Sequence, residues 1–130
     1  MTFNAKMKKI IVKISLLFVL FSVQILPQSK ILVPMDLSQT DHLKAYGVTF
    51  HALLDGLKAD WLLNYRGGSF MIDKSDKIIS ECLLEEVYFE QISLAQASQI
   101  YAEVQSEDNN MDVVRLEKAP KIAVYVPPGF

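Results

Sequence analysis

The sequence predicts an α/β protein: alternating strand–helix units on a small parallel sheet, with the first strand of a following domain at the C-terminus. Two observations carry this. Short β-permissive apolar runs alternate with longer segments of three- and four-residue apolar spacing, in the order strand, helix, strand, helix, strand, helix, and such alternation is the signature of crossover helices on a parallel sheet. Hydrophobic residues make up 51% and charged residues 22% of the 130, the balance of a chain that can bury a core.

The elements follow in order. Lys30–Asp36, KILVPMD, reads as a strand ending near Pro34, because proline cannot donate to a ladder. A helix is predicted next, with Leu43, Tyr46, Phe50, Leu53, Leu54 and Leu57 as its core-facing stripe and Ser38 or Thr40 as its cap. Asp60–Tyr65, DWLLNY, is short and apolar, as a strand buried on both faces would be. After a turn at Arg66–Ser69, Phe70–Ile72 reads as a short extension of it. Ser75 or Asp73 caps a second helix whose stripe is Ile78, Ile79, Cys82 and Leu83. Tyr88–Ser93 alternates like a strand, and Ser93 caps a third helix carrying Leu94, Ala97, Ile100, Tyr101 and Val104 on one face. Ser106–Asn110 is a polar loop, and Met111–Pro120 reads as strand or linker. Ile122–Val126 is a five-residue apolar run that resembles the central strand of another α/β unit, followed by PPGF. The expected division is therefore a leader over 1–29, an α/β domain over 30–118, and a linker with the start of a truncated second domain over 119–130.

The leader explains an uneven charge distribution. Lys6, Lys8, Lys9 and Lys13 precede Ile14–Val23, ten uncharged residues of which eight are apolar, and Pro27 with polar neighbours comes next. This basic–apolar–polar order is that of a secretory signal peptide, and the apolar part is shorter than the roughly 20 residues of a membrane span. Export to the periplasm or exterior is expected, with an uncleaved N-terminal anchor as the alternative. Beyond the leader remain 9 of the 13 basic and all 15 acidic residues, a formal charge of −6. Such a surface is unsuited to phosphate backbones, so no nucleic-acid partner is expected. Cys82 is the single cysteine, which excludes an intrachain disulfide.

Few residues point to chemistry. His42 and His51 are nine apart, on opposite sides of a helix, and no metal-binding spacing such as C-x-x-C occurs, so no metal site is expected. Cys82 shares the helical phase of Ile78 and Ile79 and reads as a packing residue. Neither a G-x-S-x-G elbow nor a phosphate-binding glycine motif is present, and no cofactor is called for. Two loops remain. Asp36 lies just past a strand, with Ser38 and Thr40 before a helix. Arg66, Gly67 and Gly68 come after the second strand, where an arginine can hold a carboxylate or phosphate through two hydrogen bonds and glycines allow close backbone approach. In a parallel sheet both loops open on the ligand-binding edge, so Asp36, Arg66, Gly67 and Gly68 form the candidate ligand site for an unspecified small molecule. Capping for the first loop and a plain turn for the second are the competing structural roles.

The stretches KILVPMDLSQTDHLKAYGVTFHALLDGLKADWLLNYRGGSFMI and VVRLEKAPKIAVYVPPG resemble the N-terminal part of large exported bacterial proteins commonly labelled "asparagine synthetase B". That resemblance implies a much longer protein, continued by an α/β domain of the class I amidotransferase-like type against which this module packs. Residues required by a true glutamine-dependent synthetase are missing: no cysteine stands at the extreme N-terminus, and RGGSFM lacks the aspartate and second serine of the Ser-Gly-Gly-x-Asp-Ser ATP loop. The expectation is a non-catalytic module that does not make asparagine. The alternative is a part of an amidotransferase-like or hydrolase-type enzyme whose catalytic residues lie in the C-terminal region.

Overall fold

The computed structural model describes residues 29–123, together with Asn4 and Tyr125. Residues 1–3 and 5–28, on which the expected leader falls, and Val124, Val126 and the PPGF end of the C-terminal run lie outside the described residues. Ile122 and Ala123 belong to no regular element.

Among the described residues, five strands and three α-helices follow one another: β1 (Ser29–Val33), α1 (His42–Leu54), β2 (Ala59–Leu63), β3 (Phe70–Asp73), α2 (Asp76–Leu84), β4 (Glu90–Ser93), α3 (Leu94–Val104) and β5 (Asp112–Leu116). They form one sheet in the order β4-β1-β3-β2-β5. Every neighbouring pair is antiparallel. The expected small parallel sheet is therefore wrong. The cause is Phe70–Asp73, which is a strand in its own right and not an extension of β2. It turns back through a hairpin on β2, with Trp61 opposite Phe70, and inserts between β2 and β1. The first six elements thus have the split βαβ arrangement, β-α-β-β-α-β, and α3 and β5 add a further unit at the β2 edge.

The sheet is covered on both faces. Ile31, Val33, Phe70 and Ile72 pack with Ala45, Val48, Ala52, Leu53, Ile78 and Cys82, which places α1 and α2 on one face. Leu32, Leu62, Met71 and Ile92 pack with Ala97, Val104, Ile100 and Tyr101, which places α3 on the other. Full burial of such side chains stabilises the fold by about 1.5–3 kcal/mol each.

The caps are partly those expected. Ser93 accepts from the Gln96 backbone N–H while the Gln96 side chain reaches back to the Ser93 N–H, a complete capping box for α3. For α1 the cap is Asp41, which accepts from the Lys44 N–H at 3.0 Å. Ser38 and Thr40 do other work: Ser38 bonds to Asp36, and Thr40 donates to the Glu86 carbonyl.

The orientation of α1 reverses the expectation. Its buried residues are Ala45, Val48, Thr49, Ala52 and Leu53. Of the predicted stripe, Leu53 is in the core and Leu57 packs against it, whereas Leu43, Tyr46 and Leu54 are 83%, 48% and 61% exposed. Both faces of this helix have the three- and four-residue spacing. The small face wins because it lets the helix lie close on the sheet, and because the Thr49 hydroxyl donates to the Ala45 carbonyl at 3.0 Å, so no polar group is stranded. The larger apolar residues are left on the outer face.

Candidate functional site

β3 lies antiparallel between β1 and β2, so β1 and β2 point the same way. Their loops open at the same end of the sheet, and β4, antiparallel to β1, begins there. Three loops therefore bring Asp36, Arg66 and Glu90 together, although the sheet is not parallel.

The loop after β2 is shaped by its backbone. Asn64 (φ 61), Arg66 (φ 44), Gly67 (φ 80) and Gly68 (φ 93) all adopt left-handed conformations. A Cβ on Gly67 would stand 2.3 Å from the Met35 carbonyl oxygen, and one on Gly68 would stand 3.2 Å from the Trp61 Nε1. The loop is tied down by the Met35 N–H donating to the Arg66 carbonyl (3.1 Å), by the Leu62 N–H donating to the Ser69 carbonyl (2.8 Å) and by the Trp61 indole donating to the Gly68 carbonyl (3.0 Å). The buried Ser69 hydroxyl donates back to the Tyr65 and Arg66 carbonyls. Gly67 thus faces a backbone carbonyl, whose oxygen would repel an anion.

The Arg66 guanidinium is held by two carboxylates and a hydroxyl. Its Nε donates to Asp36 Oδ2 and its Nη1 to Glu90 Oε1, both at 2.7 Å, and its Nη2 reaches Ser38 Oγ at 3.4 Å. Asp36 also accepts from the Ser38 N–H (3.0 Å) and from the Ser38 hydroxyl, and Tyr88 donates to Glu90 at 3.3 Å. The Ser38 hydroxyl, then Arg66, hold the Asp36 carboxyl down at about 2, while Glu90 and then Asp36 raise the already high pKa of Arg66. Asp36 and Arg66 are therefore both charged at neutral pH. The four predicted residues do converge: Asp36 and Arg66 bind each other, and Gly67 and Gly68 form the turn that presents Arg66. Glu90, Ser38 and Tyr88 complete the cluster, and no spacing in the sequence links them to Arg66. Beside them, the buried Gln39 side chain donates to the Pro34 and Tyr88 carbonyls and accepts from the Tyr88 N–H, joining the loop after β1 to the chain entering β4.

A second polar cluster lies under α3. Asp60 on β2, 3% exposed, accepts from the Tyr101 hydroxyl at 2.5 Å and from Arg115 Nε and Nη2 on β5 at 2.8 and 3.2 Å. Burial alone would raise the Asp60 pKa, but the Arg115 and Tyr101 bonds together bring it below the usual value. Burial, then Asp60, push Tyr101 upward. No buried side-chain polar atom among the described residues lacks a hydrogen-bond partner, the pattern of a group that fastens α3 to the sheet. Cys82 is fully buried and its thiol is pushed up to about 11, by burial first and then by Glu81, so it is not a nucleophile. His42 contacts the Met35 carbonyl and His51 contacts Glu81. Among the described residues no group of three or more histidine, cysteine, aspartate or glutamate side chains is placed to hold a metal ion.

A large concavity lies elsewhere. A groove of about 600 Å³ runs beside α1, walled by Tyr46 and Phe50, floored by Trp61, Phe70 and Leu116, and bordered by Lys118, Pro120 and Ile122. Trp61 stacks on Phe70 (centroids 6.1 Å apart, planes at 23°), and Tyr46 meets Phe70 edge-on at 5.4 Å. No family model, curated protein or solved structure matches the chain. The assignment of function therefore rests on these two places, an internally paired charged cluster and an aromatic groove continuous with the exposed stripe of α1. Among the described residues, no helix is long and apolar enough to cross a membrane.

Proposed function

We propose that this chain is a non-catalytic α/β module of an exported protein of the type labelled asparagine synthetase B, and that it acts by packing against a further α/β domain. The observation that carries this reading is the outer face of α1. Leu43, Tyr46, Phe50 and Leu54 align on it over three turns, and Tyr46 and Phe50 run into the groove above Trp61 and Phe70. Apolar surface of that continuity marks an interaction site. The −6 charge beyond the leader supports a protein partner over a nucleic acid.

The RGGSFM loop supports the lack of synthetase activity. Its two glycines accommodate the Met35 carbonyl and the Trp61 ring. The test is direct: purified protein supplied with aspartate, ATP and glutamine or ammonia is expected to form no asparagine, and measurable turnover would overturn the reading.

The meeting of Asp36, Arg66 and Glu90 at one sheet end favours a second reading. In it the module contributes a charged wall to a cleft of an amidotransferase-like or hydrolase-type enzyme whose catalytic residues lie in that further domain. Arg66→Ala separates the two. Loss of a ligand with folding intact supports the wall, whereas loss of stability alone supports a structural clasp.

A further inference from the structure

The groove beside α1 has an occupant within reach. β5 ends at Leu116, on the groove floor, and the chain then passes Lys118, Pro120 and Ile122 along its border. Val124–Phe130, VYVPPGF, begins two residues later. We propose that Val124–Phe130 seats along the α1 stripe in this groove, as the contact by which the module holds the adjoining domain. The proposal rests on the packing function above and names the contacting segment.

Three features fit. The first is chemistry: the segment offers two valines, two aromatic residues and Pro127-Pro128 to a wall of Tyr46, Phe50 and Trp61. Proline-containing segments are held by aromatic-lined grooves because they are extended beforehand and lose little entropy on docking. The second is length. From Leu43 to Leu54 the α1 stripe spans about 16 Å at 1.5 Å per residue, and seven extended residues span about 22 Å at 3.1 Å each. The third is tethering. A segment joined this close to its site acts at an effective concentration in the millimolar range, so weak contacts suffice.

Trp61, the single tryptophan, forms part of the groove floor and reports on it directly. The experiment compares the full chain with one ending at Ala123, reading Trp61 emission and its quenching by acrylamide, with circular dichroism to establish that both are folded. Removal of 124–130 is expected to shift emission to the red and increase quenching. A synthetic VYVPPGF peptide is expected to reverse both changes saturably in the shortened chain and to have no effect on the full one. Phe50→Asp in the full chain is expected to reproduce the effect of shortening. Identical Trp61 quenching in the two folded chains overturns the proposal, and so does protection that depends on chain concentration, which would assign the groove to a second copy. Neither result touches the asparagine assay, so failure of this contact is distinguishable from failure of the non-catalytic reading.

Discussion

Gly67→Ala tests whether the RGG turn is a structural necessity. Alanine at φ 80 must occupy the left-handed region, at a cost of about 1–2 kcal/mol. Its Cβ would lie 2.3 Å from the Met35 oxygen and 2.6 Å from the Met35 carbonyl carbon. Ordinary carbon contacts are about 3.5–4.0 Å, so the loop after β1 must retreat by roughly 1 Å. That retreat breaks the 3.1 Å bond from the Met35 N–H to the Arg66 carbonyl, worth about 1 kcal/mol. The sum is about 3 kcal/mol before any loosening of the Arg66 ion pairs, a large share of a typical domain stability of 5–15 kcal/mol. At about 4–8 °C per kcal/mol for a domain of this size, the melting temperature is expected to fall by more than 10 °C.

The assay is urea unfolding followed by circular dichroism, with Gly47→Ala as the matched control. Gly47 lies within α1, and a Cβ there meets nothing within 4 Å. The same chemical change at that position is expected to stabilise the protein by about 0.5–1 kcal/mol, through helix propensity and a less disordered unfolded chain. If Gly67→Ala lies within about 0.5 kcal/mol of the parent, or if the two substitutions have the same sign, the turn argument fails.

Three other outcomes are expected. Asp60→Asn keeps the shape of the cluster under α3 but removes the charge that Arg115 and Tyr101 bind, at a cost of about 2 kcal/mol; the loss is limited because Arg115, with its side chain 58% exposed, can turn to water. Equilibrium unfolding measures it, and a neutral effect would mean that the cluster does not fasten α3. Asp36, held at about 2 against an ordinary 3.8, contributes stability that is present above pH 3.8 and lost as the pH falls through about 2; Asp36→Asn should therefore flatten the stability–pH curve between about pH 4 and 2, and an unchanged slope would refute the ion-pair assignment. Cys82, buried with its thiol near 11, should resist a thiol-specific reagent at pH 8 until urea unfolds the chain; prompt labelling of the native protein would contradict its packing.

Element positions were legible because each has a local cause. The predicted runs Lys30–Asp36, Asp60–Tyr65 and Tyr88–Ser93 overlap β1, β2 and β4, and Ser93 marks the start of α3. Two features were not legible, and each has a physical reason. Strand direction depends on whether Phe70–Asp73 extends β2 or folds back on it. That in turn depends on four left-handed residues, two of which, Asn64 and Arg66, are not glycine. The facing of α1 depends on a competition between two apolar surfaces, and size alone favoured the wrong one. The sequence contains Ala45, Val48, Thr49 and Ala52 at core spacing as plainly as Leu43, Tyr46, Phe50 and Leu54.

The candidate site shows how a correct juxtaposition can arise from an incorrect sheet. Asp36 and Arg66 were expected together because successive parallel strands share a carboxyl edge. They are together because inserting one antiparallel strand leaves β1 and β2 parallel to each other, and the same insertion brings the start of β4, with Glu90, to that edge. Glu90 changes the meaning of the arginine. An Arg66 paired with Asp36 alone would retain donors for an incoming anion. With Asp36 and Glu90 both paired to it and Ser38 beside it, the guanidinium's charge is already met by two carboxylates, which compete with an incoming anion. Arg66 also holds a left-handed backbone that costs a non-glycine residue about 1–2 kcal/mol, which the two 2.7 Å ion pairs and the Met35 hydrogen bond offset. The arginine thus closes three loops over the end of the sheet, whereas the aromatic groove beside α1 remains an open apolar surface among the described residues.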